Sequence, residues 1–234
     1  MLPLSAAQLG RLHEQIRVME NHRVNGKPIG ESATQVLKDA DALLHSGDAL
    51  MPVLRTALVI NWKEAAMAKR YQRFKREFPA ITSLSQLKQV MQAEDPMVFC
   101  RTYLDINASS ADNPKYVLLK NLVDGFLDYM ADQQLASEIE ALRHWAERVD
   151  LKQLSADPIG KRRGVGPGVV GNLRISLGLD AIKPDRHVIG VMQQYLELKV
   201  ALHQYDAVAG SLGLRKRYFD ELLFRYGQAM QISA

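Results

Sequence analysis

A turn in the second half of the chain has the residue types that bind an anion. It reads Gly164-Val165-Gly166, and the cations Lys161, Arg162 and Arg163 stand directly before it. Pro167 and Gly178 mark the ends of a predicted helix after the turn, because proline favours the first helical position and glycine the position after the last. The N-terminus of that helix would offer free N–H groups and partial positive charge, so the sequence predicts a phosphate-binding turn.

The same turn has a second interpretation, as a tight connection between two helices. Such connections often need glycine for their geometry alone. Cations beside free N–H groups are more typical of an anion site than of a packed joint. The basic segment 161–163 therefore favours phosphate binding.

An aspartate follows the turn at a distance of one helix. Asp185 stands 19 residues after Gly166 and begins the segment Asp185-Arg186-His187-Val188, at the start of the next predicted helix. Taken alone, Asp185 is most simply a helix N-cap. The turn at this distance favours a catalytic role, and capping would fix the orientation of the carboxylate. A fixed carboxylate stabilises a sugar with oxocarbenium character and can orient or deprotonate water.

Together, these two segments resemble the helix-hairpin-helix DNA glycosylases of the endonuclease III type. In that superfamily a Gly-hydrophobic-Gly hairpin docks on the DNA backbone, and a loop then leads to a catalytic aspartate, commonly in Asp-x-His-hydrophobic. The turn and the aspartate segment match these two patterns with nearly the usual spacing, and the resemblance covers roughly residues 50–200. It implies that Asp185 is catalytic. The DNA-binding residues that it implies are Lys161, Arg162, Arg163, Gly164, Val165, Gly166 and Gly168.

The sequence departs from the family at two points. Bifunctional members carry a lysine two residues after the second glycine of the hairpin, where this chain has Gly168. The iron–sulphur cluster of the family needs four cysteines, and this chain has only Cys100. The resemblance therefore implies a monofunctional enzyme that uses water and has no cluster. It also allows a monovalent cation on the hairpin carbonyls; no other cofactor is expected, and no ligand spacing indicates a metal site.

Apolar residues recur at helical spacing along most of the chain, and strand-like alternation is nearly absent. We therefore expect an all-α fold, and the resemblance implies a helical bundle of the helix-hairpin-helix DNA glycosylase type. Residues 1–50 form a predicted N-terminal helical extension, and residues 51–234 the glycosylase-like domain. Ser5 is the predicted cap of the first helix, and Asn25-Gly26 a predicted turn. The predicted helices cover 5–24, 32–45, 65–78, 116–130, 135–149, 185–198, 205–212 and 214–229, with a short one ending at Met91.

Two other features have weaker functional interpretations. The cations between Lys69 and Arg76 lie on one predicted helix, where a solvated face is the simpler explanation and a DNA-facing role the alternative. A flipped base needs a wedge to fill its place. Candidates before the hairpin are Asn61, Trp62 and the loop 105–110, although Trp62 is more simply a core residue.

The composition is that of a globular protein. Apolar residues make up 47% and charged residues 24%, the formal net charge is +4 and the pI is about 9.1. A mildly basic chain permits nucleic-acid binding. No apolar stretch approaches the ~20 residues of a transmembrane helix, and MLPLSAAQLG does not have the pattern of a signal peptide. A single cysteine suits a reducing compartment, so the cytoplasm is the expected location.

The function that we expect is hydrolysis of the N-glycosidic bond of a damaged or mismatched base in double-stranded DNA. The first alternative is a helix-hairpin-helix protein that binds DNA without catalysis. The second is a helical protein-interaction domain with no affinity for DNA. No sequence feature identifies the excised base or an oligomeric state.

Overall fold

The computed structural model of the chain describes residues 4–58 and 64–234. It is mostly helical, which confirms the predicted all-α class. In the described part, the only sheet is an antiparallel pair, β1 (Arg23–Val24) and β2 (Lys27–Pro28). The predicted Asn25-Gly26 turn joins these two strands.

The described ranges contain twelve α-helices, one π-helical turn and one short 3₁₀ helix. The helices are α1 Ala6–Asn21, α2 Ile29–Leu44, α3 Leu50–Leu58, α4 Glu64–Glu77, α5 Leu84–Ala93, α6 Pro96–Leu104, α7 Pro114–Asp132, α8 Glu138–Arg148, α9 Pro167–Ser176, α10 Arg186–Gly190, α11 Tyr205–Ser211 and α12 Lys216–Ala229. The π-helical turn is Val191–Tyr195, and the 3₁₀ helix is Leu202–Gln204.

The chain forms two compact units. The terminal unit combines the residues up to His45 with Leu177–Ala234, and the central unit is the continuous segment Ser46–Ser176. This division differs from the predicted one at residue 50, because the N-terminal helices share their core with the C-terminal ones. The extent of the glycosylase-like domain stays a prediction.

The terminal unit is built on α12, which packs against α1, α2 and α10. Its core takes apolar residues from both ends of the chain, such as Leu12 and Met19 from α1 and Phe219 and Leu222 from α12, all fully buried. Ser5 caps α1 as predicted, because its side chain accepts a hydrogen bond from the backbone N–H of Gln8.

The central unit is built around α7, which packs against α3, α5 and α8. Its buried face carries Leu119, Leu122 and Phe126, as the apolar spacing predicts. Phe126 meets the ring of Trp145 on α8 edge to face, with the centroids 5.3 Å apart. Helix α9 packs against α3 and α8 and so belongs to this unit.

Two local expectations need correction. Helix α6 was not predicted, because its apolar residues have no clear helical period; Asp95, which caps it, and Pro96 at its first position are the signals that mark it. The helix expected over 185–198 is wrong beyond Gly190, where the chain widens into the π-helical turn. The backbone N–H of Leu196 there donates to the carbonyl of Val191, five residues back.

Candidate functional site

The predicted phosphate-binding turn precedes α9 as expected. Gly164 has φ +91°, a conformation that favours glycine, so this residue is required by the turn itself. The carbonyl of Gly166 accepts hydrogen bonds from the N–H groups of Val169 and Val170 and thereby begins α9. Between the two glycines, Val165 is buried. The turn is thus fixed from both sides by local structure.

The turn leaves backbone donors unused. Among the described residues, no acceptor binds the N–H groups of Gly164, Gly166 or Gly168. An added Cβ on Gly166 would meet no described atom within 4 Å, and φ of Gly166 is not positive. Neither crowding nor backbone conformation therefore explains glycine at this position. The absence of a side chain at this position leaves the backbone open to close approach by an external group.

One face of α7 holds the hairpin segment, which we define as residues 161–166. The side chain of Leu118 lies against Gly164, where an added Cβ would be 3.5 Å from it. The amide of Asn121 donates to the carbonyl of Arg163 at 2.9 Å. Further along, Gly125 leaves room for the Arg162 side chain, whose Nε would be 3.0 Å from an added Cβ. Leu118, Asn121 and Gly125 follow a helical spacing, so a single stripe of α7 positions the turn.

The three predicted cations of this segment differ in what binds them. Arg162 pairs with Asp128 of α7 at 2.7 Å, and only 27% of its side chain is exposed. Arg163 pairs with Asp112 at 3.5 Å, but both side chains are at least 74% exposed, so solvent screens this pair. Lys161 is exposed. Lys161 and Arg163 are accordingly the cations most free to meet an anion, whereas Arg162 is already held on α7.

Asp185 is the N-cap of α10. Its Oδ1 accepts hydrogen bonds from the N–H groups of His187 at 2.9 Å and Val188 at 3.0 Å. Its own N–H donates to the carbonyl of Lys183 at 2.7 Å, which makes a tight turn around Pro184. No described donor binds Oδ2, and the residue is half-buried. Capping thus fixes the carboxylate and leaves one oxygen unused.

A second carboxyl group, Asp220 of α12, stands behind this turn. It is 8% exposed and accepts a hydrogen bond from the backbone N–H of Lys183 at 2.8 Å. Burial raises the pKa of Asp220 to about 8; the Lys183 N–H opposes that rise, and the charges of Asp185 and Glu221 add to it. The Asp185 turn therefore rests on a buried carboxyl group whose pKa lies well above the usual carboxyl value.

The C-terminal residues hold the other side of the Asp185 segment. The Nδ1 of His187 lies 2.9 Å from the carbonyl oxygen of Ile232, and its ring meets Phe224 edge to face. The N–H of Ala234 donates to the carbonyl of Arg186 at 2.9 Å. His187 is therefore a packed and hydrogen-bonded residue.

The structure groups the predicted residues in two sets. Segment 161–168 lies in the central unit, and Asp185 lies in the terminal unit. Sequence reasoning missed Asp128, which binds a predicted DNA contact, and Asp220, which supports the predicted catalytic residue. A signal for Asp220 exists, because it is an acid next to Phe219 in the apolar face of α12.

The structure says less about the other candidates, which are the cations of α4 and the wedge residues. The cations of α4 are partly paired with acids: Arg73 meets Glu77 at 2.8 Å and Asp105 at 3.2 Å, which fits a solvated face. Asp105 is the first residue of the loop 105–110, and Ile106 in that loop is buried. Asn61 and Trp62 lie outside the described residues.

The described ranges contain no group of three or more His, Cys, Asp or Glu side chains that could hold a metal ion. None of their helices combines the length and the apolar character that crossing a membrane requires.

Comparison of the chain with protein-family models, with curated proteins and with solved structures gave no match.

Proposed function

We propose that this protein is a monofunctional DNA glycosylase of the helix-hairpin-helix type. It would bind duplex DNA through segment 161–168 and hydrolyse the N-glycosidic bond of a damaged or mismatched base with Asp185. Its site of action would be the cytoplasm. The fold type, the partner and the reaction are all parts of this proposal.

The observation that carries the proposal is the unused set of N–H groups at the start of α9. These donors belong to Gly164, Gly166 and Gly168, and open space lies where a side chain of Gly166 would be. A phosphate oxygen satisfies such donors, and the N-terminus of the helix adds favourable charge. Lys161 and Arg163 are exposed beside it, so the turn combines the two features that phosphate binding uses.

The geometry of Asp185 fits the chemical step. Its Oδ1 is held by two backbone donors, so Oδ2 has a fixed direction. During base release the bond between C1′ and the base nitrogen breaks, its electron pair leaves with the base, and positive charge develops on the sugar. The carboxylate stabilises that charge, and water then attacks C1′ while its proton passes to the carboxylate.

The position of the family lysine favours hydrolysis over lyase chemistry. Gly168 stands at that position, so the first turn of α9 presents no amine to the sugar. Without a Schiff base, the product is an intact abasic site and the free base. The hairpin carbonyls remain the expected place for a monovalent cation, which would act on the structure of the turn.

A two-part assay tests the proposal. Binding to duplex DNA is measured across a salt series, and base release is measured on a panel of duplexes with damaged or mismatched bases. Binding that weakens steeply with salt, together with release of one base class, is the expected result. Salt-dependent binding without release across the panel would identify a non-catalytic DNA-binding protein. No measurable DNA affinity would leave a protein-interaction domain.

A further inference from the structure

A charged groove lies between α5 and α7 of the central unit. It has a volume of about 280 Å³, and Met91 and Val123 form its apolar lining. The polar lining is made by Lys88, Gln92, Lys120, Asp124, Asp128 and Arg162. Arg162 belongs both to this groove and to the hairpin segment, so the two features adjoin in the same unit.

One carboxylate organises two lysines of the groove. The Oδ1 of Asp124 lies 2.9 Å from the Nζ of Lys88, and its Oδ2 lies 2.6 Å from the Nζ of Lys120. Burial tends to raise the pKa of Asp124, but the hydrogen bonds from Lys120 and Lys88 outweigh it and hold the pKa below its usual range. A second carboxylate, that of Asp128, pairs with Arg162 at 2.7 Å. The lining residues therefore hold three cations in place with only two carboxylates.

This arrangement leaves an excess of hydrogen-bond donors. Each lysine ammonium has three N–H donors, and one of them binds Asp124. The others are partly exposed, since 31% of the Lys88 side chain and 55% of the Lys120 side chain are accessible. A ligand that offers only acceptors and carries negative charge satisfies these donors. A phosphate group has both properties.

The spacing along α7 relates the groove to the hairpin. Leu118 lies against Gly164 of the turn, and Asp124 is the centre of the groove. These residues are six positions apart, which is about 9 Å along a helix axis. One DNA strand carries a phosphate about every 3.4 Å along the duplex axis. Successive phosphates of one strand are spaced more closely than this separation, so a single strand can reach both places.

We propose that the groove lined by Lys88, Lys120 and Arg162 binds a second backbone phosphate of the DNA strand that the hairpin binds. This inference rests on the proposed DNA-binding function. It extends the contact from one turn to a track along α7, and it gives Lys88 and Lys120 a role that the sequence did not indicate.

The test is a salt titration of duplex binding by the full-length chain. Lys88→Gln combined with Lys120→Gln should reduce the slope of log K against log salt by about 1, the value for one lost phosphate contact. Affinity at moderate salt should fall several-fold. Lys69→Gln combined with Lys75→Gln, on α4 of the same unit, removes equal charge elsewhere and should leave the slope unchanged.

Three further variants guard against misfolding. Lys120→Gln alone keeps the pair of Lys88 with Asp124 and should still reduce the slope. Asp128→Asn removes an exposed negative charge from the groove and should strengthen binding, which an unfolded protein cannot do. Lys88→Arg combined with Lys120→Arg keeps both positive charges, so its slope should equal that of the wild type.

The outcomes separate this inference from the proposed function. If the wild type shows no salt-dependent binding, the proposed function fails and the groove inference fails with it. If the wild type binds with a steep slope that Gly166→Val reduces, while the lysine variants keep the wild-type slope, only the groove inference is overturned. An equal decrease in the α4 control would assign the effect to net charge and also overturn it.

Discussion

The hairpin segment and the Asp185 segment differ in what holds them in place. The first is seated on α7 by side chains near the surface: Asn121 binds its backbone, and Asp128 binds one of its cations. The second is held by the buried carboxyl of Asp220 and by two hydrogen bonds with the last residues of the chain, one from the His187 ring and one between backbone groups. One arrangement leaves N–H groups unused, and the other fixes a single carboxylate oxygen.

This difference matches two separate requirements. A surface that binds a phosphate backbone needs donors and positive charge, and small adjustments of its side chains do little harm. A catalytic carboxylate must stay close to one geometry, because small displacements of a reacting group reduce the rate strongly. The two segments should therefore respond differently to substitution, pH and salt.

The largest effect is expected for Asp185→Asn. The asparagine Oδ1 still accepts from the N–H groups of His187 and Val188, so the cap is kept while the charge is lost. Base release should fall by about 10²- to 10³-fold, and DNA affinity should stay equal or rise. Single-turnover base release on an accepted lesion measures the first, and a binding titration the second.

Asp180→Asn is the matched control for this variant. Asp180 also accepts a backbone hydrogen bond, from the N–H of Arg217 at 2.9 Å, and it lies in the same unit. Its asparagine variant should release base at the wild-type rate. Equal turnover by the Asp185 variant and the wild type would leave Asp185 with only the role of a helix cap.

The sequence predicted the parts of both regions that depend on local rules. The Ser5 cap and the Asn25-Gly26 turn follow from residue types at fixed offsets, and so do the ends of α9. The unpredicted parts join residues far apart in the chain. Asp220 meets Lys183 across 37 positions, and Arg162 meets Asp128 across 34. Such pairs have no periodic signal, because the fold alone determines which side chains meet.

The groove between α5 and α7 was also only partly predictable from the sequence. The pairing of Lys120 with Asp124 is an i, i+4 contact that a helical reading of this segment allows. Lys88 comes from another helix, and nothing in its local sequence marks it as a partner of Asp124. Thus the pair of Lys120 and Asp124 on α7 was predictable, whereas the width of the groove and the place of Lys88 in it required the structure.

The second largest effect is expected in the pH dependence of stability, and it tests whether Asp220 supports the Asp185 segment. The folded protein raises the pKa of Asp220 to about 8, above the usual carboxyl value. The folded state therefore binds more protons than the unfolded state between about pH 4 and pH 8, and stability from this group is lost as the pH rises. Asp220→Asn keeps an acceptor for the Lys183 N–H and cannot ionise. The wild type should lose about 2 kcal/mol more than this variant between pH 6 and pH 8.

Chemical denaturation at several pH values measures this difference. Asp128→Asn, which changes an exposed acid of the hairpin region, should show the pH dependence of the wild type. Parallel curves for the wild type and the Asp220 variant would show that Asp220 does not retain its proton in the fold.

The third effect tests the hairpin. Gly166→Val adds a Cβ that has no described atom within 4 Å, so the free energy of unfolding should change by less than ~1 kcal/mol. The same side chain would block close approach of a phosphate, and duplex affinity should fall by about tenfold or more. Gly47→Val is the control, since Gly47 also lies in a loop of the central unit with open space around it. Undisturbed affinity in the Gly166 variant would remove the hairpin from the binding surface.

The last prediction expects no effect at all: no covalent intermediate between the protein and DNA should form. The turn supplies no amine, because Gly168 stands two residues after Gly166, where the bifunctional enzymes that the sequence resembles carry lysine. Lys161 precedes the turn, and Lys183 is held through its backbone by Asp220. Lys115 on α7 is an amine of another kind: burial and the charge of Arg70 lower its pKa to about 8, which increases the neutral, nucleophilic fraction.

Incubation with lesion-bearing duplex and borohydride should give no trapped complex, and strands should break only after alkali or heat. A trapped band that disappears in Lys161→Ala, Lys183→Ala or Lys115→Met would identify the amine and contradict the monofunctional assignment.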